Sequence, residues 1–154
     1  MKITEIISEQ SISAGLVSTE KKRVLAELSA LLSNGSRGVR AEQILEVLQE
    51  RERVATTGIG DGVAIPHGKV PGLARVIAAV GVSHDGVPFD AVDGADVHVF
   101  VALLSPAGGG AGDHLRVLAR LSRLLREPAF RAELMAQRTA AGILAAFVAA
   151  DERS

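Results

Sequence analysis

Cysteine, tryptophan and tyrosine are absent from this chain, and phenylalanine occurs only four times. Without cysteine there is no disulfide, no thiolate zinc site and no thiol nucleophile. The scarcity of aromatic rings removes the stacking platforms on which single-stranded nucleic acid is bound. An excess of one charge is lacking too: 17 basic and 18 acidic residues leave a net charge of −1. That balance gives no broad field toward nucleic acid or an anionic membrane. No apolar run approaches the ~18 residues of a membrane span. The N-terminus meets an acid, Glu5, before any long apolar stretch. The expectation is a soluble cytoplasmic protein with no nucleic-acid partner and no membrane insertion.

What is present suits one compact domain. The 154 residues, 47% of them hydrophobic, are enough for a core of ordinary size. Residues 1–150 are expected to form a single domain, with 151–154 as a frayed tail. No repeat or linker interrupts them. Residues 1–17 read as a helical turn followed by an extended piece. Ser18 or Thr19 can cap a helix with Val24, Leu25, Leu28, Leu31 and Leu32 at helical spacing, ended by Asn34-Gly35. A second helix spans about Ala41 to Arg51, where the cationic Arg51 suits the C-terminal end. Val54 to Thr57 reads as a short strand and Gly58 to Gly62 as a tight loop. Arg75 to Val82 and Val97 to Leu104 are apolar enough to be buried strands. Asp85-Gly86 and Asp93-Gly94 are turn signals. After the glycine-rich 107–112 loop, Asp113 can cap a helix burying Leu115, Val117, Leu118, Leu121, Leu124 and Leu125. Its Arg116, Arg120, Arg123 and Arg126 read as solvent-facing. Pro128 and Thr139 open two more helices. Helices at both ends around a strand-rich middle predict a three-layer α/β/α sandwich with a mixed sheet.

One stretch concentrates chemistry: Thr57-Gly58-Ile59-Gly60-Asp61-Gly62-Val63-Ala64-Ile65-Pro66-His67-Gly68-Lys69. Pro66 fixes its own φ and biases Ile65 toward extended geometry. Gly68 removes a Cβ beside the histidine, leaving room for a ligand or a partner's backbone. An imidazole held on such a corner can act as nucleophile, base or metal ligand. Of the other histidines, His84 precedes a turn and reads as exposed. His98 sits in the strongest strand and reads as structural. His114 lies in the first turn of a helix, where free N–H groups favour a bound anion.

Competing chemistries lack their parts. No HxH, HxxxH or HExxH pattern offers a metal site, although Asp61 and Asp113 lie near His67 and His114 in sequence. The segment Gly108 to His114 lacks the Gly-Lys-[Ser/Thr] of a nucleotide P-loop. No Gly-x-Ser-x-Gly elbow marks a hydrolase. A histidine nucleophile with no cofactor remains. Its neutral nitrogen can attack a phosphoryl group in line, given a pKa near or below working pH; the unperturbed value is ~6.5. It also needs one fixed tautomer and donors around the transferring oxygens. Arg51 and His114 are the natural donors if the fold brings them to His67.

Several motifs stand in a definite order along the chain. Arg51-Glu52 stands sixteen positions before His67, inside which falls most of the Thr57 to Gly68 run. Then come Gly86-Val87-Pro88-Phe89-Asp90, Asp93-Gly94, an apolar strand ending in Pro106, and His114-Leu115. Together, from about Ile3 to Phe147, they resemble the phosphotransferase-system IIA domains of the fructose–mannitol type (PTS EIIA type 2), and among these the nitrogen-regulatory IIA proteins. The resemblance implies a mixed sheet flanked by helices and a phosphoryl carrier. His67 would be phosphorylated, on Nε2, by the phosphocarrier protein HPr or a nitrogen-branch homologue. Arg51 matches the family's active-site arginine and His114 its second histidine. The phosphate would pass to a permease IIB component, or its presence would signal to regulatory targets such as kinases and transporters. The glycine-rich loop before His114 departs from the family and bears on how firmly that ring is held. A non-catalytic regulatory binding module and a fructose- or mannitol-specific transport component are the alternatives. For the carrier, an apolar rim around His67, supplied by Ile59, Val63 and Val70, is expected to receive a small partner protein.

Overall fold

The computed structural model describes residues 1–36, 38–109 and 111–153, without the side chain of Ala111. Its frame is a pair of long strands, β5 (Ile77–Val87) and β6 (Val97–Pro106), joined antiparallel. Their apolar runs alternate between two cores. Ala78, Val80, Val82, Val99, Val101 and Leu103 face one, while Ile77, Ala79, Phe100, Ala102 and Leu104 face the other. A strand buried on both sides must be apolar on both sides, and these are. Four short strands complete the sheet: β1 (Ile12–Ser13), β2 (Gly58–Gly60), β3 (Val63–Ala64) and β4 (His67–Val70). The order is β1-β5-β6-β3-β2, with β4 also on β6. β1 runs parallel to β5, β3 and β4 run parallel to β6, and β2 is antiparallel to β3.

Helices α1 (Lys21–Asn34) and α2 (Ala41–Val54) cover one face through Val24, Leu25, Leu28, Leu32, Ile44 and Leu48. Helices α3 (Ala111–Leu125), α4 (Pro128–Ala136) and α5 (Ala140–Arg153) cover the other through Val117, Leu121, Phe130 and Phe147. The three-layer α/β/α sandwich with a mixed sheet is therefore present. Among the described residues, no helix is long and apolar enough to cross a membrane.

Several local expectations fail for identifiable reasons. Neither Ser18 nor Thr19 caps α1, which starts after Glu20; the Glu27 carboxylate instead takes the N–H groups of Val17 and Ser18. Val54 is helical rather than the start of a strand. The α2 exit is set by Glu52, whose carboxylate accepts from the Thr57 N–H at 2.9 Å and its hydroxyl at 2.6 Å. The supposed loop begins as β2, and its turn lies at Asp61-Gly62, both at positive φ. Asp85-Gly86 is no hairpin turn. The residues form a bulge within β5, where the register shifts between Val82 and Val87 and Gly86 adopts φ of +87°. Asp113 lies inside α3 and pairs with Arg116 at 3.0 Å rather than capping the helix. Gly110 of the preceding loop lies outside the described residues. Leu115 is exposed, not buried, because the inward stripe of α3 runs through His114, Val117, Leu121 and Leu125.

The frayed tail is also corrected: α5 continues to Arg153, with Ser154 outside the described residues. Asp151 is buried and holds the N-terminus. It accepts from the Ile3 N–H, the Thr4 N–H and the Thr4 hydroxyl, at 3.2, 3.0 and 2.8 Å. Arg120, expected in solvent, turns in to pair with it at 2.9 Å. Burial alone raises the Asp151 pKa. The Arg120, Thr4 and Ile3 donors outweigh it, so the carboxyl sits below its ordinary 3.8. A depressed acid contributes stability that is present above the unfolded pKa and lost as pH falls through the folded one. Asp151→Ala should therefore cost about 3 kcal/mol in urea unfolding at pH 7. The gap to the unaltered chain should narrow below a pH of about 4.

Candidate active site

Strand β4 supplies the central residue. β3 and β4 lie end to end along β6, and between them Ile65-Pro66 breaks the pairing. Proline has no N–H to give to a ladder, so the break falls there. The chain is still held at this point: Leu103 N–H donates to the Pro66 carbonyl at 2.8 Å, and Ile65 N–H to Thr57 at 3.0 Å. β2 covers the outer edge of β3, whereas among the described residues β4 pairs only with β6. His67 opens that free edge and is half-buried.

Three contacts fix its chemistry. Its Nδ1 lies 2.7 Å from the Ile65 carbonyl oxygen. A carbonyl can only accept, so Nδ1 carries the proton and Nε2 keeps the lone pair. Arg51 agrees from the other side, donating Nε–H to His67 Nε2 at 3.3 Å. His114 stands beside it with ring centroids 5.4 Å apart and planes tilted by 54°. The structure thus brings His67, Arg51 and His114 together. The other two histidines lie elsewhere: His84 is exposed and bonded to the Ala14 carbonyl, and His98 contacts the Ser83 carbonyl. Among the described residues no cluster of His, Cys, Asp or Glu could hold a metal ion.

Packing explains the proximity. Val47 and Arg51 are one turn apart on the same face of α2. A Cβ built on Gly68 would collide with the Val47 methyl. Gly68 therefore lets α2 press onto β4, rather than leaving room for a ligand. Arg51 also donates Nη1–H to the Ala55 carbonyl at 2.9 Å, so it ends the helix and faces the histidine at once. His114 arrives from the opposite helical layer on the inward stripe of α3. It is buried, and its Nδ1 meets the Ser105 hydroxyl at 2.5 Å. In the sequence Ser105 is only the residue before Pro106 at the end of an apolar strand; its place in the site follows from β6 pairing it opposite Lys69 of β4.

Burial and neighbouring charge favour the neutral form of both rings. Burial is the largest influence on His67 and lowers its pKa from 6.5. The Ile65 carbonyl raises it, Arg51 lowers it again and Glu52 raises it, leaving a net depression. For His114, burial, His67 and Lys69 all act downward. A neutral His67 presents an available lone pair on Nε2, with a permanent cation beside it.

The expected apolar rim is not where it was sought. Val63 and Val70 are core residues, on opposite faces of the sheet, and only Ile59 is exposed. Leu115, next to His114, is 62% exposed, and Val54, one turn beyond Arg51, is 82% exposed.

These features define a class: α/β proteins in which a sheet-edge imidazole of one committed tautomer keeps its free lone pair beside a guanidinium and a second imidazole. The comparisons give the class its family. The model for "phosphoenolpyruvate-dependent sugar phosphotransferase system, EIIA 2" matches residues 5–149, and this chain belongs to that family. It is 38% identical to a nitrogen regulatory protein of Bradyrhizobium diazoefficiens, over 93% of this chain and 92% of that one. It is 34% identical to the fructose-specific EIIABC component of Bacillus subtilis, over 88% of this chain but only 21% of that longer protein. Its fold matches the crystal structure of the nitrogen regulatory protein IIA-Ntr from Neisseria meningitidis. The TM-score is 0.87 at 33% identity, covering 94% of this chain and 98% of that one.

Two changes test the geometry. Arg51→Met should raise the His67 titration midpoint measured by NMR, because a cation and part of the burial are lost together. Gly68→Ala should cost about 1–3 kcal/mol of stability, and adding Val47→Ala should recover most of it.

Proposed function

We propose that this chain is a phosphoryl carrier. His67 Nε2 attacks the phosphorus of a phosphohistidine on an HPr-type donor protein. A new N–P bond forms as the donor's N–P bond breaks, and the donor nitrogen keeps the electron pair. The His67 proton stays on Nδ1 throughout, donated to the Ile65 carbonyl. The observation that carries this reading is the paired constraint on one ring: Nδ1–H committed to Ile65 and Nε2 faced by Arg51, at 2.7 and 3.3 Å.

Such transfers are catalysed by positioning and charge rather than by covalent help from the protein. As the phosphoryl group arrives, Arg51 exchanges its bond to Nε2 for bonds to the phosphoryl oxygens. Guanidinium suits this exchange, having several donors in one plane. His114 supplies an N–H to a further oxygen. Because His67 is depressed below 6.5, it is uncharged across the neutral range. Acceptance should stay flat from neutral to mildly alkaline pH and decline only as acid protonates the ring.

The acceptor divides the reading. Likeness to nitrogen regulatory proteins along nearly the whole of both chains supports a regulatory output, in which phosphorylation alters binding to a kinase or transporter. Likeness to one part of a fructose-specific component supports transfer to a IIB protein. A binding module that never takes phosphate is the second reading, favoured by the burial of Val63 and Val70, which removes the rim expected for a docking donor.

Incubation with a phosphorylated HPr-type protein, followed by intact-mass spectrometry, separates these. One acid-labile phosphate is expected, absent in His67→Ala and gained more slowly, at His67, in His114→Ala. No phosphate on the unaltered chain, or one that persists in His67→Ala, rules the carrier out.

A further inference from the structure

We infer that Ser105 is a positioning residue that fixes His114 as the Nε2–H tautomer, so that this ring turns a donor and not a lone pair toward the phosphoryl group on His67. The inference rests on the carrier reading above. It assigns a role to a residue that lies two places beyond the His67 partner on β6, where Leu103 pairs with His67 and Ser105 with Lys69.

Ser105 is 2% exposed, and its hydroxyl has one hydrogen-bond partner among the described residues, His114 Nδ1 at 2.5 Å. That contact admits two directions. If Nδ1–H donated to Oγ, the serine hydrogen would need another acceptor in a buried setting, and the described residues offer none. An unsatisfied buried donor is costly. If Oγ–H donates to Nδ1, the hydroxyl hydrogen is used and only acceptor capacity is left over, which costs less. The second direction is therefore preferred. It places the sole ring proton of neutral His114 on Nε2, the nitrogen Ser105 does not hold.

The alternative tautomer would be harmful to transfer. An Nε2 lone pair would face phosphoryl oxygens with like charge, and no proton would be shared between them. His114 is neutral because burial, His67 and Lys69 all lower its pKa, so its tautomer is a real choice. Two neighbouring histidines are thus set oppositely. The Ile65 carbonyl accepts from His67 and frees Nε2 as a nucleophile; the Ser105 hydroxyl donates to His114 and makes Nε2 a donor.

Long-range ¹H–¹⁵N NMR of the ¹⁵N-labelled, unaltered chain reads the tautomer directly and needs no variant. At a pH where His114 is neutral, its Nδ1 should be pyridine-type and its Nε2 pyrrole-type. Nδ1 as the protonated nitrogen overturns the proposal. In Ser105→Ala, the two nitrogen shifts should move toward each other as the tautomers mix. Transfer from the phosphorylated HPr-type donor should slow about fivefold, in keeping with the loss of one buried hydrogen bond. Phosphate should still be found on His67. In a His114→Ala background, Ser105→Ala should cost nothing further, since Ser105 acts through that ring. Unchanged ring shifts and rate in Ser105→Ala, or an equal slowing without His114, overturn the role. If the unaltered chain takes no phosphate, the carrier reading fails and so does this role, whereas an altered rate without altered shifts defeats the role of Ser105 alone.

Discussion

The Nδ1–H of His67 and the carbonyl oxygen of Ile65, two residues earlier in the same chain, are 2.7 Å apart. That bond decides which nitrogen of His67 keeps the lone pair. A carbonyl cannot donate, so the proton is committed and the lone pair is exported to the other side of the ring. The geometry needed for it is made by Pro66, which interrupts the strand between the two residues and turns the imidazole back over its own backbone. The free lone pair on Nε2 is then specified by local chain geometry.

The fold's task is to bring two further groups to this ring without adding a negative charge beside Nε2. It does so from opposite layers. α2 delivers Arg51 because Val47 packs onto the bare backbone of Gly68. α3 delivers His114 because its inward stripe docks on the sheet face that carries Leu103 and Ser105. The anchoring carboxylate nearest the site, Glu52, is turned away by other work. It is bonded to the Thr57 N–H and hydroxyl and paired with Lys21 at 3.1 Å. Lys21 also lies 4.7 Å above the Phe89 ring, linking the site's rear support to the core. Glu52 still raises the histidine's pKa, but by less than Arg51 lowers it, and it is itself held by these structural partners.

Much of this was legible in the chain. The alternating apolar runs of β5 and β6 announced a sheet covered on both faces, and the Pro66-His67-Gly68 corner marked a presented imidazole. Arg51 and His114 came from motif order. What was illegible depended on contacts between elements remote in sequence. Gly68 reads as an opening until Val47 is seen filling it. Asp85-Gly86 carries the residues of a turn but serves as a bulge, because β5 continues through it to meet Val97. Leu115 and Arg120 exchanged their expected environments, since one residue of helical phase decides which side chain of α3 faces the core. Ser105 had no signal of its own, a serine before a proline being an ordinary end to a strand.

The most direct test of the account is the regiochemistry of the modified ring. The chain would be phosphorylated from an HPr-type donor, and ³¹P–¹⁵N correlation NMR would identify the nitrogen bonded to phosphorus. The bond to Ile65 and the position of Arg51 predict phosphate on Nε2 of His67, with Nδ1 still protonated. Phosphate on Nδ1, which would require the 2.7 Å hydrogen bond to be broken, would contradict the account.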